Sequence, residues 1–199
     1  MNANTTLEIA ATAARLIVEE GLEWGPAKTR AVKLLGLPAR TALPNNEQIE
    51  AQVREYIALF CADTQPAELL ALRELAARWM ARLAEFRPHL CGAVWRGTAT
   101  RLSSVHLQLY CDDTKSTEIT LINQGLDYDV GQVRGPRGQN VDCLVLHVPC
   151  PALGESIPLA LTILDKDDLR GALKPDAQGL TERGDLHALQ RLLQESAPS

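Results

Sequence analysis

The residues whose types and spacing could do chemistry are concentrated in one stretch, GAVWRGTATRLSSVHLQLYCDD, which begins at Gly92. A short strand is predicted over residues 93–96, and Gly97 and Thr98 then form the turn after it. A glycine lets the backbone approach a phosphate, which a hydroxyl and backbone N–H groups can hold. Two arginines flank the turn and are candidates for contacting that phosphate: Arg96 and Arg101.

A second strand is predicted over residues 105–111, because apolar and polar side chains alternate there. Ser104 and His106 stand two positions apart at the start of this strand, so their side chains share one face of it.

This order of strand, Gly-Thr turn and strand resembles the signature of the polymerase-beta-like nucleotidyltransferase superfamily. There, a Gly-Ser or Gly-Thr pair follows the first strand, and Asp-x-Asp on the second strand holds magnesium for in-line attack on a nucleoside triphosphate. The resemblance implies magnesium and a nucleoside triphosphate as cofactors. It also implies a nucleotide-binding site made by Gly97, Thr98, Arg96, Arg101, Ser104 and His106.

More of the chain is similar to small bacterial proteins of this superfamily that are labelled only nucleotidyltransferase-like. The matching segments are short and extend over most of the sequence: residues 27–38, 43–60, 86–88, 96–100, 112–115 and 167–170.

The sequence departs from the superfamily at the metal site, because Ser104 and His106 occupy the places of the two aspartates. Serine is a poor magnesium ligand, and imidazole suits zinc, nickel or copper better. Losing both carboxylates removes most of the electrostatic stabilisation of phosphoryl transfer. Three other acids are the remaining metal candidates: Asp112, Asp142 and Asp165.

These acids have structural interpretations as well. Asp112 lies past the far end of the second strand, about 20 Å from Ser104 at about 3.3 Å per residue. The acidic group around Asp165 is typical of a turn that caps a short helix at Leu169.

Other groupings favour structural roles. Cys143, His147 and Cys150 have a C-x3-H-x2-C spacing, yet without a CxxC pair they indicate buried thiols more than a metal site. A Cys–His nucleophilic pair has no local support in the sequence. The basic residues Lys28, Arg30 and Lys33, and the loop over residues 134–138, are anion-site candidates but are more typical of a solvated surface.

The first 87 residues predict four helices. A capping box of Thr5 and Glu8 should start the first, which stops at Gly21. The second begins near Pro26 and ends at Gly36, Asn45 or Asn46 caps the third, and the fourth follows Thr64. After these come the two strands of the central stretch, an ambiguous segment over 115–124, strands over 126–131, 141–148 and 157–164, and a helix over 184–194.

This pattern predicts an α+β fold, in which a helical N-terminal region over residues 1–87 packs on a small mixed sheet of nucleotidyltransferase type over residues 88–199. No linker-like segment lies near residue 88, so the two regions should pack as one unit.

The composition excludes several classes of protein. Apolar residues make up 46% and charged residues 23% of the 199 residues, which is typical of a globular protein. Only 4% are aromatic and the net charge is −5, which argues against nucleic acid as a partner. No apolar run predicts a membrane span or a secretory signal, and five scattered cysteines favour reduced thiols in the cytoplasm.

Three functions are compatible with the sequence. The first is a catalytically degenerate nucleotide-binding or regulatory module. The second is an active nucleotidyltransferase that modifies a protein, an RNA or a small acceptor. The third is an interaction protein that retains only the scaffold and binds a protein partner or a second copy of itself.

Overall fold

The computed structural model describes residues 3–170, 172–175 and 181–195. Within these ranges the fold is α+β, as predicted, with seven α-helices and one mixed six-stranded sheet. The helices are α1 (Ala3–Glu20), α2 (Trp24–Leu34), α3 (Asn46–Phe60), α4 (Gln65–Arg82), α5 (Gly92–Arg96), α6 (Lys115–Asn123) and α7 (Leu186–Glu195). The strands are β1 (His89–Cys91), β2 (Val105–Cys111), β3 (Asp129–Arg134), β4 (Asn140–Cys150), β5 (Glu155–Asp165) and β6 (Arg183–Gly184).

The chain divides into two compact units. The first unit contains Met1–Glu68 and Thr98–Ser103, and the second contains Leu69–Gly97 and Ser104–Ser199. The predicted division into residues 1–87 and 88–199 stays a prediction.

The first unit is built around α1, which contacts both α2 and α3. Its core consists of small and branched apolar side chains at helical spacing, among them Ile9, Ala13, Ala27, Ile49 and Val53.

Helix starts show one success and one error of prediction. Asn45 caps α3 in a capping box: its Oδ1 accepts from the Gln48 N–H at 2.8 Å, and Gln48 Oε1 accepts from the Asn45 N–H at 2.9 Å. The predicted box of Thr5 and Glu8 is wrong, because α1 already includes Ala3 and Thr5 lies inside the helix. No proline or glycine precedes Thr5, so nothing in the chain stops the helix from extending there.

The sheet has the strand order β3-β4-β5-β2-β1-β6. Strands β2 and β5 pair in parallel, and every other neighbouring pair is antiparallel. Side chains alternate along each strand, so the register defines two faces. One face is apolar and buried, with Leu107, Leu144 and Leu161 in one row. The other, which we call the polar face, carries His89, Cys91, His106, Gln108, Tyr110, Cys143, Thr162 and Arg183.

Most predicted strands are confirmed. The bounds of β2 are those predicted, β4 and β5 extend the predicted strands at both ends, and β3 is displaced by about three residues. The ambiguous segment is helix α6, and the last predicted helix is α7. Between β3 and β4 the predicted loop is a tight hairpin turn, closed by the Gly135 N–H donating to Gln139 O at 2.7 Å.

The strand predicted over residues 93–96 is wrong, because these residues lie in α5 and the strand is the preceding β1. An apolar run this short does not distinguish helix from strand by its periodicity. Gly92 ends the strand with φ 71°, a left-handed backbone conformation that glycine adopts readily.

Strand β6 forms one edge of the sheet and packs against the indole of Trp95. The Trp95 Nε1–H donates to Thr181 O at 2.7 Å, and a Cβ on Gly184 would lie only 2.2 Å from the indole ring. Among the described residues, no helix combines the length and apolar character that crossing a bilayer requires.

Candidate functional site

The predicted phosphate turn at Gly97 has a structural role, because Gly97 ends α5. Its φ is 84°, and its N–H donates to Ala93 O at 2.9 Å. The guanidinium of Arg73 donates to Val94 O and Trp95 O, each at 3.1 Å, and so satisfies the last carbonyls of the helix. Burial lowers the pKa of Arg73 from its ordinary value.

The predicted nucleotide-binding residues are divided between the two compact units. Arg96, Gly97, Ser104 and His106 belong to the second unit. Thr98 and Arg101 belong to the first.

In the first unit, two residues of α4 form hydrogen bonds to the backbone of the segment that follows Gly97. Gln65 Nε2 donates to Ala99 O at 2.8 Å, and Glu68 Oε2 accepts from the Arg101 N–H at 2.9 Å. The Thr98 and Thr100 hydroxyls are buried with no hydrogen-bond partner among the described residues. A buried hydroxyl without a hydrogen-bond partner lowers the stability of the fold, and both hydroxyls of this segment are of that kind.

In the second unit, the register brings His106 into one row of the polar face. The row runs Arg183, Cys91, His106 and Ala160 across β6, β1, β2 and β5. Beside it, Gln108 pairs with His89 on β1 and with Thr162 on β5. Ser104 precedes β2 and is half-buried.

Arg183 is a cation on this face, and the sequence prediction missed it. Its Nη1 donates to Gln108 Oε1 at 2.7 Å and to Tyr110 Oη at 3.3 Å, so the guanidinium lies over β2. Its Nη2 donates to the exposed Glu182 at 3.0 Å. The side chain is only 14% exposed, and its Nε is buried with no partner among the described residues. No local pattern marks Arg183, because strand pairing alone brings it beside β2.

Gly92 leaves room beside His106. A Cβ at Gly92 would lie 3.6 Å from His106 Cδ2, in ordinary van der Waals contact, so a longer side chain there would cover the imidazole. The signal for this position in the sequence is a glycine directly after the apolar pair Leu90 and Cys91.

The sulfur beside this site is not an activated nucleophile. Burial raises the pKa of the Cys91 thiol to about 11, although Arg183 and Arg96 act to lower it. The thiol donates to His106 O at 3.5 Å. A thiol with this pKa is protonated at neutral pH, whereas a catalytic cysteine acts as the thiolate.

The candidate metal-binding acids lie elsewhere. Asp112 pairs with Lys166 at 3.1 Å and with Arg87 at 3.8 Å. Asp165 is opposite Cys111, five residues along β5 from the partner of His106, which is about 17 Å at 3.3 Å per residue. Asp142 lies on β4 and shares a pocket with Asp165. Among the described residues, no three His, Cys, Asp or Glu side chains come together as a metal site needs.

Cys143, His147 and Cys150 are not brought together, because they divide between the two faces of β4. Cys143 and His147 lie on the polar face, and Cys150 lies on the other. Both thiols are buried and His147 is exposed, so the interpretation as buried thiols is confirmed.

The basic candidates are engaged in surface contacts. Lys28 donates to Asn46 Oδ1 at 2.8 Å, and Arg30 pairs with Glu20. In the hairpin turn, Arg137 pairs with Asp168 at 2.8 Å. These contacts favour the solvated-surface interpretation of both basic groups.

In comparisons with known proteins, no family model matches this sequence and no curated protein matches it.

Proposed function

We propose that this protein is a nucleotide-binding or regulatory module, which holds the phosphate groups of a nucleotide on the polar face beside His106 and Arg183. The observation that carries the proposal is the position of Arg183, a largely buried guanidinium that lies over the strand bearing His106. Arginine is suited to this role because its planar donors match phosphate oxygens.

The chemistry of the site favours binding without nucleotidyl transfer. Ser104 and His106 supply a hydroxyl and an imidazole, a donor set that does not fit magnesium. In the pattern that the sequence resembles, a Gly-Ser or Gly-Thr pair follows the first strand. Since β1 ends at Cys91, Gly92 and Ala93 take that place, and the hydroxyl of the pair is absent as well.

The remaining groups suit an anionic ligand. Gln108 carries an amide nitrogen that can donate, and Arg183 keeps its buried Nε without an acceptor among the described residues. The nearest side-chain position on Gly92 is empty, because a Cβ there would lie 3.6 Å from His106 Cδ2.

Calorimetric titration of the full chain with ATP, ADP and pyrophosphate, each with and without magnesium, tests the proposal. We expect binding that does not require magnesium. Because a hydrogen bond to a charged group contributes about 1.5–3 kcal/mol, Arg183→Gln should weaken binding by about 10- to 100-fold. His106→Ala should weaken it too, and Arg78→Gln, on an exposed position of α4, is the matched control.

Two outcomes would overturn the proposal. The first is that none of the three ligands binds the folded wild-type chain. The second is transfer of labelled nucleotide to an acceptor in cell extract, which would restore the enzymatic alternative. Thermal denaturation of each variant separates lost binding from lost folding, because Arg183 also holds Gln108 and Tyr110.

A further inference from the structure

We propose that a second copy of this chain pairs with the open edge of the sheet, strand β3 against strand β3. In the part of the chain that the structure describes, β3 is the last strand at its edge and pairs with β4 alone. Every residue of β3 is exposed, including Val130 and Val133. Proteins commonly protect such an edge with proline or a bulge. Strand β3 contains no proline, and its register with β4 advances one residue at a time, without a bulge.

The register of the hairpin shows which backbone groups of β3 point away from β4. The Gly135 N–H donates to Gln139 O, and hydrogen-bonded pairs recur at every second position along an antiparallel pair of strands. The residues whose backbone groups bond to β4 are therefore Asp129, Gly131 and Val133. The residues that direct their N–H and C=O groups outward, toward any added strand, are Val130, Gln132 and Arg134.

Antiparallel pairing about a two-fold axis at Gln132 brings the outward groups of both copies together. Gln132 then lies opposite Gln132 of the second copy, and each amide supplies both a donor and an acceptor to the other. Val130 lies opposite Arg134 of the second copy. On the polar face, Gly131 lies opposite Val133 of the second copy, so the valine fills the space that the glycine leaves. The strand is therefore complementary to itself in this register.

The charges of β3 favour the antiparallel direction and a second copy as the partner. The strand begins at the carboxylate of Asp129 and ends at the guanidinium of Arg134, and both residues are exposed. In antiparallel pairing, the acidic start of each strand lies beside the basic end of the other, so the two ends attract. Parallel pairing would place like charges side by side, which is destabilising.

Sedimentation equilibrium of the full chain tests the proposal. Because small interfaces give weak association, the measurement covers about 2–200 μM protein. We expect a monomer–dimer equilibrium in this range. Gln132→Pro removes an outward N–H and none that bonds to β4, so it should weaken the dimer at least about 10-fold. Gln132→Thr keeps the backbone N–H and is the matched control, with an expected change of less than about 3-fold.

A charge exchange tests the direction of pairing. Asp129→Arg and Arg134→Asp each place like charges at both ends of the paired strands, so each should weaken the dimer by about 3- to 10-fold. The double variant restores opposite charges and should dimerise within about 3-fold of the wild type. These variants change only exposed side chains, so they decide the question even if thermal denaturation shows that Gln132→Pro destabilises the chain.

Three outcomes would overturn the proposal. The first is a wild-type chain that keeps the mass of one copy, 21.7 kDa, over the whole concentration range. The second is a folded Gln132→Pro variant that dimerises as tightly as Gln132→Thr, which would place the interface elsewhere. The third is a double charge variant that dimerises no more tightly than either single variant. None of these measurements uses a nucleotide, so this proposal and the proposed function can fail separately.

Discussion

His89 shows how burial of one residue makes stability depend on pH. Its ring Nδ1–H donates to Arg87 O at 2.9 Å, and its ring meets Tyr110 edge-on at 5.2 Å. Burial lowers the pKa of His89 from its ordinary value of 6.5, so the folded chain binds this proton at lower pH than the unfolded chain. The free energy of unfolding should therefore fall as pH decreases from about 6.5 through the lowered folded value.

Urea denaturation at pH 7.5, 6.5 and 5.5 measures this loss. His89→Asn should flatten the pH dependence between these values, while its absolute stability falls because the ring packing is lost. His187→Asn, at an exposed position of α7, should keep the wild-type slope. Equal slopes in the two variants would contradict the assignment to His89.

At the scale of elements, one pair of residues caps the start of helix α3. The reciprocal bonds of Asn45 and Gln48 satisfy two backbone N–H groups that have no partner within the helix. Asn45→Ala should lower the free energy of unfolding by about 1 kcal/mol, measured by urea denaturation.

The neighbouring asparagine is the control for this prediction. Asn46 lies inside the helix, and its side chain accepts from the half-buried Lys28. Asn46→Ala should therefore change the free energy of unfolding by less than about 0.5 kcal/mol. A larger loss from Asn46→Ala than from Asn45→Ala would reverse the assignment of the cap.

The elements also show what the sequence could and could not predict. Strand β2 was predictable because its alternation covers seven residues with one buried face. Strand β1 has three residues and runs straight into the apolar helix α5, so local periodicity did not separate them. The capping of α5 by Arg73 depends on a residue about twenty positions away, which no local pattern contains.

The candidate site was less predictable than the fold, because its residues are far apart in the sequence and no local pattern contains them together. His106 was identified from its place on β2, and its row on the polar face was set by pairing with distant strands. Arg183 reaches Gln108 across 75 positions of sequence, so only the fold places it there. The sequence predicts a phosphate turn at Gly97, whereas its backbone conformation is that of a helix end.

At the scale of the whole molecule, the chain passes between its two compact units more than once. Residues Thr98–Ser103 return to the first unit, where Leu102 meets the end of α1. A Cβ on Gly21 would lie 2.8 Å from Leu102 O, so only glycine allows this approach.

This approach predicts a difference between two glycines of similar conformation. Gly21 has φ 68° and Gly36 has φ 65°, but nothing lies within 4 Å of a Cβ on Gly36. Both Gly→Ala variants should lose about 1–2 kcal/mol of stability for the left-handed backbone. Gly21→Ala should lose more in urea denaturation, because the Leu102 carbonyl must also move. Equal losses would contradict the close approach.

The packing of Trp95 against Gly184 gives the molecule an internal optical reporter. The indole is hydrogen-bonded to Thr181 O and covered by the backbone of β6, the strand that carries Arg183. Any event that separates β6 from α5 exposes this indole to water and moves its fluorescence emission to longer wavelength. Comparing the wild type with Trp95→Phe isolates this emission from that of Trp24 and Trp79. The position of the arginine strand can then be followed in solution without attaching a label.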